Sequence, residues 1–281
     1  CDAMAKKGWD ITILPVYTDG RVDPSHVKNA IRDNTALVAI MHVNNEIGTI
    51  QPIAEIGSIC RNSRATFLVD ASQSYGKLPI DVETMQIDFL AATAHKIYGP
   101  KGIGLLYVKG KSPKLKMTTQ ITGGGHEYGL RSGTLPVHQI VGFGKAIEIC
   151  NTMENEKMAI LQKMLIDGIV TAHPDVQLNG SQEYRLGNNI NISFPGLDAE
   201  TLIIKMKGIA CSTGSACSTA NLEPSHVLKA IGLKNEMAHS SIRFSLGRFN
   251  TKEEIRRAIN EINHVLSSVK ENSPRQQLLH V

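Results

Sequence analysis

The sequence predicts an α/β protein with a mostly parallel sheet flanked by helices and a smaller α+β region toward the carboxyl end. Apolar runs of strand length alternate with helical segments through the first half of the chain, an order typical of parallel sheets covered by helices. Polar clusters follow three of these runs, which places them at the carboxyl ends of the predicted strands, where such sheets bind ligands.

The first half contains the elements of the predicted sheet. Residues 10–16 are apolar enough for a strand, and Pro24 suits the first turn of a helix that continues to Ile31. Residues 36–42 form a wholly apolar run, which predicts a strand buried on both faces. A helix and three further strands are predicted at residues 52–61, 67–70, 89–92 and 104–108.

Two domains are predicted from this order of elements. Residues 1–150 form a large domain, and residues 151–281 form a small α+β domain. A helical stretch from about residue 136 to residue 172 links the two domains. The small domain has predicted strands near residues 189–193 and 242–244 and a final helix at residues 252–269.

Composition and charge exclude several classes of protein. Of the 281 residues, 42% are hydrophobic and 20% are charged, which is ordinary for a globular protein, and no apolar run has the length of a membrane span. The net charge is +4, and the densest basic stretch, residues 109–116, lacks aromatic residues. It therefore predicts a solvated turn rather than a nucleic-acid surface.

The cysteines predict neither a disulfide framework nor a metal site. There are five of them with no C-x-x-C pair, which is typical of a reducing compartment. Cys60 and Cys150 follow apolar residues at helical spacing, which predicts core positions. A metal site made of Cys211, Cys217 and His226 is excluded by its spacing and by the lack of a fourth ligand.

A carboxylate and a lysine each follow a predicted strand. Asp70 ends the strand at residues 67–70, and Lys96 lies 26 residues later in the sequence Thr-Ala-His-Lys-Ile-Tyr-Gly-Pro. Pyridoxal phosphate (PLP) enzymes need a lysine that forms a Schiff base and a carboxylate that keeps the pyridine nitrogen protonated. Taken alone, Lys96 could be a surface lysine in a Gly-Pro turn, and Asp70 could be a helix N-cap.

Cys217 and Arg243 are the other two residues that suggest chemistry. Cys217 lies among Gly, Ser, Ala and Thr residues at 211–220, a composition suited to a mobile thiol; the alternative is a small buried hydrophobic residue. Arg243 interrupts an otherwise apolar strand, and its planar guanidinium suits a substrate carboxylate. A structural ion pair is the alternative for Arg243, and Arg248 fits that structural role better.

Seven ordered motifs resemble those of the cysteine desulfurases of the NifS/IscS type. The resemblance covers essentially the whole chain and implies the aminotransferase-like fold of PLP enzymes, fold type I. It also implies that the chain lacks the N-terminal part of that family. The motifs are His42–Gly48, Asp70–Gln73, Ala94–Gly102, Gly123–Glu127, Arg131–Thr134, Gly214–Cys217 and Ser240–Ser245.

The resemblance implies a role for each residue of a PLP site. Lys96 would form the Schiff base and Asp70 would pair with the pyridine nitrogen. Gln73 would bond the phenolic oxygen of the cofactor, with Asn45 near the same ring edge. The phosphate would be held by Thr93 and His95, and by Thr134 from a second subunit.

The implied reaction converts L-cysteine to L-alanine and leaves its sulfur on Cys217 as a persulfide. Arg243 and Asn45 would bind the substrate. The sulfur would serve iron–sulfur cluster and thio-cofactor biosynthesis through acceptor proteins such as an iron–sulfur scaffold. The resemblance further implies a homodimer, with no direct contact to nucleic acid or membrane, in the bacterial cytoplasm or the mitochondrial matrix.

The sequence is compatible with two alternative functions. One is a fold relative with different chemistry, such as a selenocysteine lyase or another class V aminotransferase-like enzyme. An aminotransferase has no need of Cys217, so the activity of a Cys217→Ala variant discriminates between them. The other alternative is an inactive truncated paralogue that relays sulfur or acts as a binding protein.

Overall fold

The computed structural model describes residues 1–110, 117–150, 152–213 and 223–271. The chain divides into two compact units. The first unit contains residues 1–15, 22–43 and 51–152, and the second contains residues 16–21, 44–50 and the described residues from 153 onward. The predicted division into domains 1–150 and 151–281 stays a prediction. It assigns residues 16–21 and 44–50 to the first domain, whereas in the structure these two segments group with the second unit.

The elements are numbered in chain order. The helices are α1 (Asp2–Ala5), α2 (Pro24–Ala30), α3 (Ile53–Arg61), α4 (Val137–Ile149), α5 (Thr152–Ala172), α6 (Ala199–Lys205), α7 (His226–Ala230), α8 (Asn235–His239) and α9 (Lys252–Glu271). The strands are β1 (Leu37–Met41), β2 (Thr66–Asp70), β3 (Phe89–Thr93), β4 (Gly104–Val108), β5 (Gln177–Leu178), β6 (Asn189–Ser193) and β7 (Ser241–Ser245). Short 3-10 helices occupy Ala94–Ile97 and Glu127–Gly129.

The first unit is built on a mixed sheet of order β1-β2-β3-β4. The pairs β1–β2 and β2–β3 are parallel, whereas β4 returns antiparallel to β3. Helix α3 packs against this sheet with Ile53, Ile56 and Cys60 buried, and Cys60 is therefore the core residue that its spacing predicts. The predicted α/β class with a mostly parallel sheet is confirmed.

The expectation that β1 is buried on both faces is wrong. The strand forms, but its side chains alternate in burial, with Leu37 50% and Met41 42% exposed. β1 is an edge strand of the sheet. A wholly apolar run specifies a strand but not what covers each face, because that covering comes from other parts of the fold.

Two other predicted elements differ from the structure. Residues 10–16 form no strand: the segment makes no ladder hydrogen bonds within the described sheets, and Ile13 is 83% exposed. The helix predicted from 136 to 172 is divided into α4 and α5, because Cys150 leaves the helical conformation with a ψ of 135°. A β-conformation at one residue is a local event that apolar periodicity on both sides does not reveal.

The second unit packs helices against the antiparallel sheet β5-β6-β7. Its core joins α5, β6, β7 and α9. Helix α9 is amphipathic, since Ile255, Ile262, Val265 and Leu266 are buried while the residues between them are largely polar.

Strand β6 is buried along its whole length although it contains polar residues. The side chain of Asn179 donates hydrogen bonds to Asn191 Oδ1 at 2.7 Å and to Ser193 Oγ at 2.8 Å. Ser193 and Ser241 hydroxyls lie 2.7 Å apart on neighbouring strands. Buried polar groups must be paired to offset lost hydration, so this network fixes the register of β6 against its neighbours.

The core of the second unit gives a direct test of packing. Replacing Leu165, which is 2% exposed on α5, by Ala should lower the free energy of unfolding by about 3 kcal/mol through lost burial and a cavity. The matched control is Ile160→Ala on the same helix, where the side chain is 56% exposed and the loss should stay below about 1 kcal/mol. Urea unfolding followed by circular dichroism measures both; equal losses would contradict the packing described.

Candidate active site

The first unit brings two predicted clusters together at one edge of its sheet. Asp70 is the last residue of β2 and Thr93 is the last residue of β3. In the parallel register Asp70 pairs with Ala91, and the Ala71 N–H donates to the Ala91 carbonyl at 2.8 Å. The segments Asp70–Gln73 and Thr93–Lys96 therefore leave neighbouring strands side by side.

Lys96 lies on the 3-10 helix that follows β3. Ala94 and Ile97, three residues apart on this helix, are buried against Phe143 and Ala146 of α4. The residues between them, including Lys96, are consequently exposed at the sheet edge. Tyr98 then adopts a left-handed φ of 66°, and the turn closes with the Gly99 N–H donating to the Ala94 carbonyl at 2.9 Å.

Polar groups beside Lys96 are already ordered by short contacts. Thr93 Oγ1 lies 2.9 Å from His95 Nδ1, which couples the two residues predicted to hold a phosphate. Asp70 is exposed, and its Oδ1 accepts a hydrogen bond from the Ser72 N–H at 2.8 Å. One carboxylate, one hydroxyl, one imidazole and one primary amine therefore face the same edge.

Lys77 is a second lysine of this region that sequence reasoning missed. Its Nζ donates a hydrogen bond to the Gln73 carbonyl at 3.0 Å. Burial, together with the nearby charge of Lys96, lowers the pKa of Lys77 to about 8, with Cys150 opposing the shift. A substantial fraction of the Lys77 amine is thus neutral in mildly alkaline solution. Spacing in the sequence gives no signal for this, because the shift arises from burial.

His42 follows β1 and is joined to β2 through the main chain. Its N–H donates to the Asp70 carbonyl at 2.8 Å, and its own carbonyl accepts from the Gln51 N–H at 2.8 Å. The side chain is 5% exposed, and its Nδ1 has no hydrogen-bond partner among the described residues. Burial lowers the pKa of His42 to about 4, so the imidazole is neutral at neutral pH.

Thr134 lies apart from these residues in sequence, at the end of a loop in the first unit. The loop is closed by the Gly125 N–H donating to Ser132 Oγ at 3.1 Å and the Gly133 N–H donating to His126 Nδ1 at 3.3 Å. Thr134 itself is exposed. Its predicted contact to the phosphate of a second subunit stays a prediction.

The second unit holds two further predicted residues, Asn45 and Arg243, in direct contact. The Asn45 carbonyl accepts hydrogen bonds from Arg243 Nη1 at 3.2 Å and from Asn189 Nδ2 at 2.9 Å. Asn45 is exposed although residues 42–44 and 46–49 are buried. The main chain of Asn45 is therefore fixed while its side chain stays accessible.

The loop at residues 44–50 is shaped by its own side chains. Asn44 Oδ1 accepts hydrogen bonds from the N–H groups of Glu46 at 2.8 Å and Ile47 at 3.1 Å. The Gly48 N–H donates a hydrogen bond to the Asn44 carbonyl at 3.0 Å. Gly48 has a φ of 72°, and a Cβ there would lie 3.0 Å from the Cβ of Asn189. A side chain at position 48 would therefore be strained both by the left-handed backbone and by the close approach to Asn189.

Arg185 attaches this loop to the rest of the second unit. Its guanidinium donates to the Ile47 carbonyl at 2.8 Å, to the Ser181 carbonyl at 2.7 Å and to the Asn179 carbonyl. Burial lowers the pKa of Arg185 to about 10. Five donors in a fixed fork can satisfy several carbonyls at once, which explains why an arginine occupies this half-buried position.

Cys217 lies outside the described residues. Just before that segment, Ser212 pairs with Arg243 in both directions: the Ser212 N–H donates at 3.2 Å and the Arg243 N–H donates at 2.6 Å. Cys211 is half-buried against the core of the second unit, and burial raises the pKa of its thiol. This environment favours packing over reactivity at Cys211.

The residues of the first unit fit pyridoxal phosphate. An exposed amine at Lys96 and a carboxylate at Asp70 occupy adjacent strand ends, as a Schiff base and a pyridine partner require. The coupled Thr93 and His95 side chains supply donors suited to a phosphate.

Comparisons with known proteins agree with this chemistry. The sequence profile of the aminotransferase class-V family matches residues 1–258. The chain is 48% identical over 277 residues to cysteine desulfurase IscS of Photobacterium profundum, a match that covers 98% of this chain and 68% of that protein.

Solved structures show the same similarity. The fold superposes on a NifS-like protein with a TM-score of 0.85 and 32% identity, covering 95% of this chain and 70% of the other. It also matches SspA in complex with cysteine, with a TM-score of 0.77 and 38% identity, covering 89% and 70% of the two chains.

The chain therefore belongs to the aminotransferase class-V family of PLP-dependent enzymes and, within it, to the cysteine desulfurases of the NifS/IscS type. The resemblance identified from the seven motifs is confirmed. Among the helices that the structure describes, none is both long and apolar enough to cross a membrane.

The buried His42 predicts a pH dependence of stability. Its pKa is about 4 in the folded chain and 6.5 when exposed, so the unfolded chain binds the extra proton between these values. Stability should therefore fall as the pH drops from 6.5 to 4, by up to about 3 kcal/mol from this residue.

The variant His42→Asn should show a correspondingly flatter dependence of unfolding free energy on pH in this range. His138→Asn, at an exposed position of α4, is the matched control and should keep the wild-type slope. Urea unfolding at several pH values measures the effect, and a wild-type slope in His42→Asn would show that His42 is not the group responsible.

Proposed function

We propose that this chain is a cysteine desulfurase that uses pyridoxal phosphate to convert L-cysteine to L-alanine. The sulfur is retained as a persulfide on Cys217 and passed on for iron–sulfur cluster and thio-cofactor biosynthesis. The observation that carries the proposal is the placement of Asp70 and Lys96 at adjacent strand ends of one sheet, in a chain 48% identical to a cysteine desulfurase.

The first unit holds the cofactor in this proposal. Lys96 would bind it covalently, Asp70 would keep its ring nitrogen protonated, and Gln73 would donate to its phenolic oxygen. Thr93 and His95 would hold the phosphate, together with Thr134 of a second copy of the chain. When bound, pyridoxal phosphate acts as an electron sink for bonds at the substrate α-carbon and β-carbon.

The second unit binds the amino acid. Arg243 forms a bidentate pair with the substrate carboxylate, and Asn45, whose carbonyl is bonded to Arg243, presents its amide beside it. The Cys217 thiolate attacks the substrate sulfur, so that an S–S bond forms as the Cβ–S bond breaks. The carbon fragment takes up a proton and leaves as alanine.

The partners follow from this chemistry. A persulfide must be transferred to another thiol, which requires an acceptor protein such as an iron–sulfur scaffold. Sharing Thr134 between sites requires a homodimer. We place the reaction in the bacterial cytoplasm or the mitochondrial matrix, where thiols stay reduced.

Covalent cofactor binding tests the role of Lys96. The full chain mixed with pyridoxal phosphate should develop a visible absorbance band, and borohydride should then fix the cofactor to the peptide that contains Lys96. Lys96→Ala should abolish both signals, because Lys96 is the amine that the proposal assigns to the Schiff base. Lys101→Ala, which removes an exposed lysine of the same turn, is the control and should retain both.

The same preparations test the sulfur chemistry. Wild-type protein should release alanine from L-cysteine, and Cys217→Ala should lose this activity. Full release of alanine by Cys217→Ala would instead contradict the role of Cys217 as sulfur acceptor and favour a fold relative with different chemistry that needs no acceptor thiol. A chain that binds no pyridoxal phosphate would contradict the enzymatic proposal and support a binding or relay protein.

Substrate affinity tests the role of Arg243. Arg243→Lys should raise the KM for L-cysteine by about 10- to 100-fold, because a point charge replaces a bidentate guanidinium. Arg248→Lys is the matched control, since Arg248 forms an ion pair with Glu154 at 3.1 Å and should leave the KM within about twofold of wild type. An unchanged KM in Arg243→Lys would remove Arg243 from the substrate site.

A further inference from the structure

A buried carboxylate with no part in the proposed reaction lies next to Asn45. Glu46 is 5% exposed, and its Oε2 accepts a hydrogen bond from the Ser225 hydroxyl at 2.5 Å. Ser225 is also the N-cap of α7, where its Oγ accepts from the N–H groups of Val227 at 3.1 Å and Leu228 at 3.3 Å. The single hydroxyl proton is therefore directed at Glu46.

Glu46 is itself held by its main chain. Its N–H donates to Asn44 Oδ1 at 2.8 Å, and its carbonyl accepts from Asn191 Nδ2 at 3.3 Å. Asn191 belongs to β6 and is fully buried. Because a hydrogen bond to a carboxylate is stronger than one between neutral groups, Glu46 is a firm attachment point for Ser225.

The contact between Ser225 and Glu46 lies close in sequence to the segment that contains Cys217. Ser225 comes shortly after Glu223, where the described chain resumes beyond the segment that contains Cys217. On the other side of that segment, Ser212 pairs with the main chain of Arg243. The two ends are thus bonded to Glu46 and Arg243, and both of these residues adjoin Asn45.

We propose that Glu46 and Ser225 are positioning residues for sulfur transfer, whose hydrogen bond fixes where the chain carrying Cys217 rejoins the second unit beside Asn45 and Arg243. The inference rests on the proposed function, in which Cys217 accepts the sulfur. Neither residue is assigned a contact with the reacting atoms. Their effect is on the placement of the thiol, and small errors of placement slow a reaction strongly.

Formation of the Cys217 persulfide tests the proposal. In single-turnover experiments with L-cysteine, followed by mass spectrometry, Ser225→Ala and Glu46→Ala should each slow persulfide formation about tenfold. The concentration of L-cysteine that gives half the maximal rate should change less than about twofold, since Arg243 is intact. Glu46→Gln keeps an acceptor oxygen and should retain most of the rate.

Two controls separate positioning from loss of stability. Asp198→Ala removes the side-chain N-cap of α6, where Asp198 accepts from the Thr201 N–H at 2.7 Å, and should leave the persulfide rate unchanged at a comparable loss of melting temperature. The double variant of Glu46 and Ser225 should be no slower than the slower single variant, because the two residues act as one unit.

A second measurement does not depend on the reaction. The rate at which iodoacetamide alkylates Cys217 in the full chain should rise at least about twofold in Ser225→Ala and Glu46→Ala, because releasing one attachment eases access to the thiol. It should not change in Glu46→Gln or Asp198→Ala. If wild-type protein forms no persulfide, the proposed function fails and this inference fails with it; wild-type persulfide rates in both Ala variants of an active protein would overturn the inference alone. Wild-type alkylation rates in both Ala variants, or equal changes in Asp198→Ala, would overturn it.

Discussion

The parallel pairing of β2 with β3 is the constraint on which the first unit depends. Parallel strands end at the same edge, so the register that pairs Asp70 with Ala91 also brings the turn containing Lys96 beside Asp70. A slip of one residue would turn every side chain of a strand to the opposite face. Burial of Ala94 and Ile97 then fixes the direction in which Lys96 leaves the sheet. The geometry of the proposed cofactor site is thus a consequence of core packing.

The second unit is organised by the need to satisfy buried polar groups. Arg185 and Asn189 donate to main-chain carbonyls of the loop at residues 44–50, and Asn191 does the same at Glu46. Each of these donors would be costly to bury without a partner. Together they hold the loop in one conformation that exposes Asn45. Hydrogen bonds that look purely structural therefore determine that the Asn45 amide is exposed, as the proposed substrate contact requires.

Much of the fold was accessible from local sequence patterns. The strands at residues 67–70, 89–92 and 104–108 and the helix ending at Arg61 occur within a residue or two of their predicted bounds, because short apolar runs between turn residues specify them. The failures have a common cause. The segment at residues 10–16 lacks a described partner strand, β1 is an edge strand, and Cys150 breaks a helix between two apolar stretches. Whether a strand finds a partner, what covers its faces and where a helix breaks all depend on residues that are distant in the chain.

The sequence by itself determined the chemical class, since the ordered motifs around Asp70, Lys96 and Arg243 identify the family and its cofactor. The residue types and the order of these motifs can be read from the sequence without any knowledge of how the chain packs. Only the tertiary structure decided that residues 44–50 group with the second unit and that Glu46 bonds Ser225 across 179 positions. It also decided that His42 is neutral and that the pKa of Lys77 falls to about 8. Protonation and hydrogen bonding follow from burial, and burial is set by contacts between residues far apart in sequence.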